Sequence, residues 1–141
     1  MSVVDGQVHG KSRIDQWMLR AGWLVSMMPV AIVLMSARWK LTEDPWYVRE
    51  WGHIGWQVEK LPWIASLQLV AIVLFLIPRT AVLGAILLTG YMGGAIASYV
   101  RIGELKPPLV PLTTAMLAWL GIFLREPRLR QLLPLRRGPW R

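Results

Sequence analysis

Residues 80–101 read TAVLGAILLTGYMGGAIASYVR, and the fold turns on how that stretch is read. Its length suits a membrane span: a helix rises ~1.5 Å per residue, and the hydrocarbon layer needs ~20 apolar residues. It is not uniformly greasy. Small residues recur at every fourth position, at Ala81, Ala85, Thr89, Gly93 and Ala97. A second row, Gly90, Gly94 and Ser98, opens with G-x-x-x-G. Positions four apart share a helix face, and small side chains let a second backbone come close, which is how helices associate in lipid. The stretch reads as the central helix of a small membrane bundle, with both rows as helix-packing surfaces.

Three further apolar runs surround it. Residues 61–77 form a second span that starts at Pro62 and stops at Pro78. Pro78-Arg79 is so short a connection that this span and the central one form an antiparallel hairpin. Gln68 is the one strongly polar side chain in 61–77; an unpaired amide in lipid is costly, so it should face the bundle and bond a neighbouring helix or a ligand. Residues 17–37 form the first span, with Arg20 snorkelling to the headgroups and Pro29 introducing a kink. Residues 109–124 form a short last span. The expected fold is an all-α integral membrane protein, a four-transmembrane-helix bundle spanning about 17–37, 61–77, 80–101 and 109–124. An N-terminal tail (1–16) and a basic C-terminal tail (125–141) flank it.

The longest connection, 38–60, carries Trp39, Trp46, Trp51 and Trp56 with Tyr47. Asp44-Pro45 is a helix start, with a capping carboxylate followed by proline at the first helical position. Aromatic and charged residues alternate from there, as in a short amphipathic helix lying in the headgroup plane. Trp51 and Trp56 are interface anchors on one reading and a lid over a pocket on the other.

The composition agrees with a membrane protein. Hydrophobic residues make up 55% and charged residues 17%, against ~45–50% and ~25% in soluble domains. The net charge of +8 sits at the ends of apolar runs, so the basic residues face lipid headgroups, not nucleic acid. With no cysteine and only His9 and His53, thiol chemistry and iron–sulfur clusters are excluded within the chain, and no metal site is read. Four spans put ten Lys and Arg on the side of the two tails and six on the other. The positive-inside rule then places both termini in the cytoplasm. A charged start before an apolar run opens signal peptides too, but no small-x-small cleavage pattern closes this one, so it reads as a retained span.

Several motifs together resemble bacterial DoxX-like membrane proteins of the DoxX/DoxD group: Trp39-Lys40-Leu41-Thr42, Ile77-Pro78-Arg79-Thr80, the run 84–89, Gly90-Tyr91-Met92-Gly93-Gly94-Ala95 and Arg125-Glu126-Pro127-Arg128. The similarity covers about residues 38–137. It implies a four-helix bundle in the bacterial inner membrane. The wider group is named for a quinone-reducing thiosulfate oxidoreductase subunit and includes membrane accessory and chaperone-like proteins. The resemblance places a glutamate in the second span, where this chain has Gln68, which counts against proton-coupled redox chemistry here.

Two functions from different classes follow. The first is a non-catalytic accessory, assembly or lipophile-binding membrane subunit; one small-residue row would pack inside the bundle while the other meets a second copy or a membrane-protein partner, and no catalytic residue is required. The alternative is a quinone-linked oxidoreductase subunit, with quinone as cofactor and Gln68, Tyr91, Tyr99, Arg101, Trp51 and Trp56 as candidate ligand contacts. No Asp, Glu, Lys or His falls at the centre of a span to relay protons, which ranks the first reading higher. Alternating-access transport ranks last, because no inverted repeat is visible.

Overall fold

The computed structural model describes residues 13–104, 109–127 and 129. Most of both tails and residues 105–108, with Pro107-Pro108, lie outside the described residues. So do most of the charges counted in the tails. The described chain is all-helical: α1 (Arg13–Leu41), α2 (Pro45–His53), a short 3-10 turn (Val58–Lys60), α3 (Leu61–Leu76), α4 (Ala81–Arg101) and α5 (Leu109–Arg125). Three stretches are long and apolar enough to cross a membrane: Gln16–Leu41, Val58–Leu76 and Ala81–Arg101. At 17 residues α5 is shorter, and its length of ~25 Å falls short of a ~30 Å hydrocarbon layer.

The four long helices pack in a ring: α1 touches α5 and α3, and α4 touches α3 and α5. Close backbone approach fixes two of the seams. At the α3–α4 hairpin, a Cβ on Gly84 would lie 2.2 Å from the Phe75 backbone nitrogen. On the α1–α5 seam, a Cβ on Gly121 would lie 2.3 Å from Ser26 Oγ, and one on Gly22 2.8 Å from the Arg125 nitrogen. Only glycine fits at these three points.

The polarity of the molecule is reversed relative to a soluble domain. Its core of Val33, Phe75, Leu88 and Ile122 also holds the fully buried Lys40, Gln68, Ser26 and Thr114. Its outer faces are apolar, with Leu24 72%, Trp63 77% and Met116 64% exposed. Soluble monomers do not present apolar surface on this scale; a lipid-facing exterior accounts for it.

Local signals explain the helix ends. Asp44 Oδ1 accepts from the backbone N–H groups of Trp46 (3.0 Å) and Tyr47 (3.4 Å), with Pro45 at the first helical position. The orphan carbonyls at the end of α3 find side-chain donors. Thr80 Oγ1 donates to Leu74 O at 2.9 Å, and the Arg125 guanidinium donates to Phe75 O. That guanidinium also stacks on Trp23 and Phe75, at 4.6 and 4.7 Å from the ring centroids.

The first helix differs from its expected extent. It runs to Leu41, past residue 37, so Trp39 and Lys40 belong to its last turns and not to a connecting loop. Neither glycine nor proline lies between residues 37 and 44, so nothing stops the helix at the first basic residue. Lys40 and Arg125, one from each side of the charge count, are buried; the excess on the side of the tails is unchanged without them.

Candidate binding site

Lys40 is the organising residue. It lies four positions after Ser36 and seven after Val33, which carries it onto the inward face of α1, and it is 0% exposed. Its ammonium donates to three oxygens from three helices: Ser36 Oγ at 2.8 Å on α1, Gln68 Oε1 at 2.8 Å on α3 and Tyr91 OH at 2.7 Å on α4. A lysine has three N–H donors, and all three are used. The rings of Tyr47 and Tyr91 flank the charge, with centroids at 5.1 and 5.4 Å. Among the described residues no carboxylate pairs with Lys40. Burial of a charge is costly unless it is fully hydrogen-bonded, and here neutral oxygens and two aromatic faces meet that need.

Gln68 is fixed in turn. Its Nε2 donates to Val33 O of α1 at 2.7 Å, so Oε1 is the end turned to Lys40. Tyr47, from α2, reaches back to Ser36 at 3.2 Å. Four helices thus meet at one polar knot.

The knot forms one wall of a cavity of about 660 Å³, within the ~300–1,000 Å³ range typical of small-molecule sites. Ser36, Gln68, Tyr91 and Tyr47 line it, and Lys40 stands behind them. The other walls are apolar and strongly aromatic, with Trp39, Trp46, Trp51 and Trp56 among the lining residues. The rings of Trp46, Tyr47, Trp51 and Trp56 form a chain of contacts with centroids 6.0–6.2 Å apart, the spacing of favourable aromatic pairs. Among the described residues Glu50 is the one carboxylate on the lining.

Polar ties hold α2 and its following turn against α4. Trp56 Nε1 donates to Ser98 Oγ at 3.0 Å, Tyr99 OH donates to Glu50 Oε1 at 3.1 Å, and Arg101 donates to Ile54 O at 2.6 Å. Trp51 Nε1 donates to Gln57 O at 3.2 Å. Farther out, His53 Nε2 meets Glu104 Oε1 at 2.7 Å. That hydrogen bond raises the His53 pKa above its ordinary value, and the Glu104 charge adds to the effect. Burial raises the Tyr47 phenol.

The sequence-derived candidates separate into groups. Gln68, Tyr91, Tyr99, Trp51 and Trp56 all line the cavity, while Arg101 does not and serves to anchor the α2 turn. Of the small residues, Ala81, Ala85 and Ser98 are buried, and Thr89, Gly93 and Ala97 are exposed. The row beginning at Ala81 does not stay on one face. At ~100° per residue each step of four advances ~40°, so the fifth member lies ~160° round the helix from the first. Gly90, Gly93 and Gly94 have no atom within 4 Å of where a Cβ would sit. Gly90 and Gly94 instead form part of the cavity wall. The glycine that packs a helix in this part of the chain is Gly84.

Lys40, Ser36 and Tyr47 are the site residues that sequence reasoning did not single out. The available signal was the uninterrupted helix past residue 37, which sets Ser36 and Lys40 one turn apart on one face. The family model described as "DoxX-like family" matches residues 24–121. No curated protein and no solved structure matches the chain.

Proposed function

This chain belongs to the DoxX-like family of membrane proteins, and we propose that it binds a small lipophile in the aromatic cavity and is itself non-catalytic, an accessory or assembly subunit of the membrane. In this reading all four apolar helices span the bacterial inner membrane, both termini are cytoplasmic, and α2 lies in the opposite headgroup layer as a cover. The observation that carries it is the cavity of about 660 Å³ with aromatic walls and a single polar knot. Apolar area with a few convergent polar groups is what a ligand site requires. A merely structural bundle core would fill such a volume with side chains.

The test is a titration of bromonaphthalene into nanodiscs holding the protein, with tryptophan emission as readout. Four tryptophans stand on the cavity wall, so saturable quenching at one site per chain is expected, and it should be absent in Gly94→Leu. Quenching that rises only with bilayer partition, and equally in both proteins, overturns the proposal.

A quinone-linked oxidoreductase subunit is the second reading. It is favoured by the contiguous exchangeable groups Tyr47, Ser36, Lys40 and Tyr91, at 3.2, 2.8 and 2.7 Å, which would hold or pass protons at the polar wall. The cavity is large enough for a substituted ring, and its indole walls suit stacking. A quinone, when bound, supplies the two-electron chemistry; an electron-transferring partner is then also needed. Absence of any quinone-dependent spectral change in protein reconstituted with quinone would remove this reading.

A further inference from the structure

Hydrogen-bond bookkeeping at the polar wall identifies the chemistry of the ligand end that sits there. Lys40 spends its three donors on Ser36, Gln68 and Tyr91. Tyr91 OH therefore accepts, and its own O–H needs an acceptor. Among the described residues it has none, and Tyr91 lines the cavity. Ser36 and Tyr47 share one hydrogen bond, in which either oxygen is the donor. Whichever donates, the other's O–H is left without an acceptor among the described residues. Gln68 Nε2 is taken by Val33 O. The wall thus turns two unspent O–H donors toward the cavity, backed by a buried positive charge.

We infer that the cavity selects an apolar, ring-bearing molecule with a neutral carbonyl oxygen, which accepts from Tyr91 and from the Ser36–Tyr47 pair. Two facts speak against a formal anion. The Lys40 protons are all engaged and none faces the cavity, and among the described residues the one charged side chain on the lining is the acidic Glu50. An anion would meet Glu50 repulsion without a direct cationic partner, whereas a carbonyl dipole needs only the two donors. The aromatic chain from Trp46 to Trp56 supplies flat walls for the rest of the molecule. This inference rests on the lipophile-binding reading and adds to it the polarity of the ligand's head.

Three naphthalene probes test it in nanodiscs: naphthyl methyl ketone labelled at its carbonyl carbon, ethylnaphthalene and naphthoate. After correction for bilayer partition, the ketone should bind about tenfold tighter than ethylnaphthalene, the worth of one to two net hydrogen bonds. Difference infrared spectra should show its carbonyl stretch lowered on binding, as for a carbonyl accepting hydrogen bonds. Tyr91→Phe should shrink both effects, and the infrared arm on the unaltered protein stands whether or not that variant folds. Equal binding of ketone and ethylnaphthalene with an unshifted carbonyl band overturns the inference and leaves the binding reading intact. Tighter binding of naphthoate than of the ketone overturns it in favour of an anion. Saturable binding of none of the three overturns the binding reading and the inference with it.

Discussion

Replacing Gly94 by leucine separates a cavity wall from a packing surface. Gly94 lies within α4, and a Cβ there would meet nothing within 4 Å. The helix-propensity gain of about 0.8–1 kcal/mol for replacing an interior glycine is therefore unopposed by a clash. That corresponds to about a fivefold shift toward the folded state, or a few degrees in the unfolding midpoint in detergent. The side chain would grow into the cavity, displace the ligand and abolish the saturable quenching. Gly84→Ala is the control, since its new Cβ falls 2.2 Å from the Phe75 nitrogen. Overpacking of this kind costs about 1–3 kcal/mol or more, so its midpoint should fall. The assays are helical circular dichroism on heating, size-exclusion light scattering and probe binding. The reasoning is refuted if Gly94→Leu lowers the midpoint or disrupts self-association, because the glycine would then be packing against another chain. It is equally refuted if binding survives unchanged.

Other consequences are sharper at single residues. Gln68→Leu strips one acceptor from a buried ammonium and should cost about 1.5–3 kcal/mol, whereas Gln68→Glu keeps an oxygen facing Lys40 and should retain most of that stability, as read from detergent unfolding midpoints. Arg125→Met removes the donor to Phe75 O and the stack on Trp23 and Phe75, at a cost of about 2 kcal/mol. Arg125→Lys should restore little of it, because a lysine lacks the planar fork. His53 should titrate above the ordinary ~6.5 in an NMR pH series, and Glu104→Gln should lower the value, since Glu104 is the principal cause of the rise. The sign follows from the raised value: the His53–Glu104 contribution is complete below the unfolded pKa and is lost as pH climbs through the folded one. Any pH-dependent loosening of the α2 cover should therefore appear on the alkaline side.

The helices were legible in the sequence because the signals that make them act over short range. Proline punctuation at Pro62 and Pro78 and the Asp44-Pro45 cap are local chemistry, and they set the starts of α2 and α3 and the end of α3 within a residue or two. The polarity of Gln68 inside an apolar run marked it for the interior in the same way. Lys40 was hidden by its position. A lysine near a helix end ordinarily snorkels to the headgroups, and two of the three oxygens that hold it come from residues 28 and 51 positions away. The local pattern on α1 pairs Lys40 with Ser36 but does not announce the meeting with Gln68 and Tyr91. The small-residue row does not keep to one face, since a spacing of four drifts around a 3.6-residue helix. Gly84 packs because the tight turn at Pro78-Arg79 folds α4 back on α3 at that point. Gly90 and Gly94 stand farther along, where the aromatic residues of α2 hold the cavity open.

The central claim is that the aromatic cavity holds an apolar molecule against the Lys40 knot. Native mass spectrometry of protein released gently from its own membrane tests this most directly, with Gly94→Leu prepared in parallel. The account predicts a stoichiometric adduct of one small apolar, carbonyl-bearing molecule on the unaltered chain and its loss from the variant. A bare chain in both preparations, or an adduct that survives in Gly94→Leu, would contradict it.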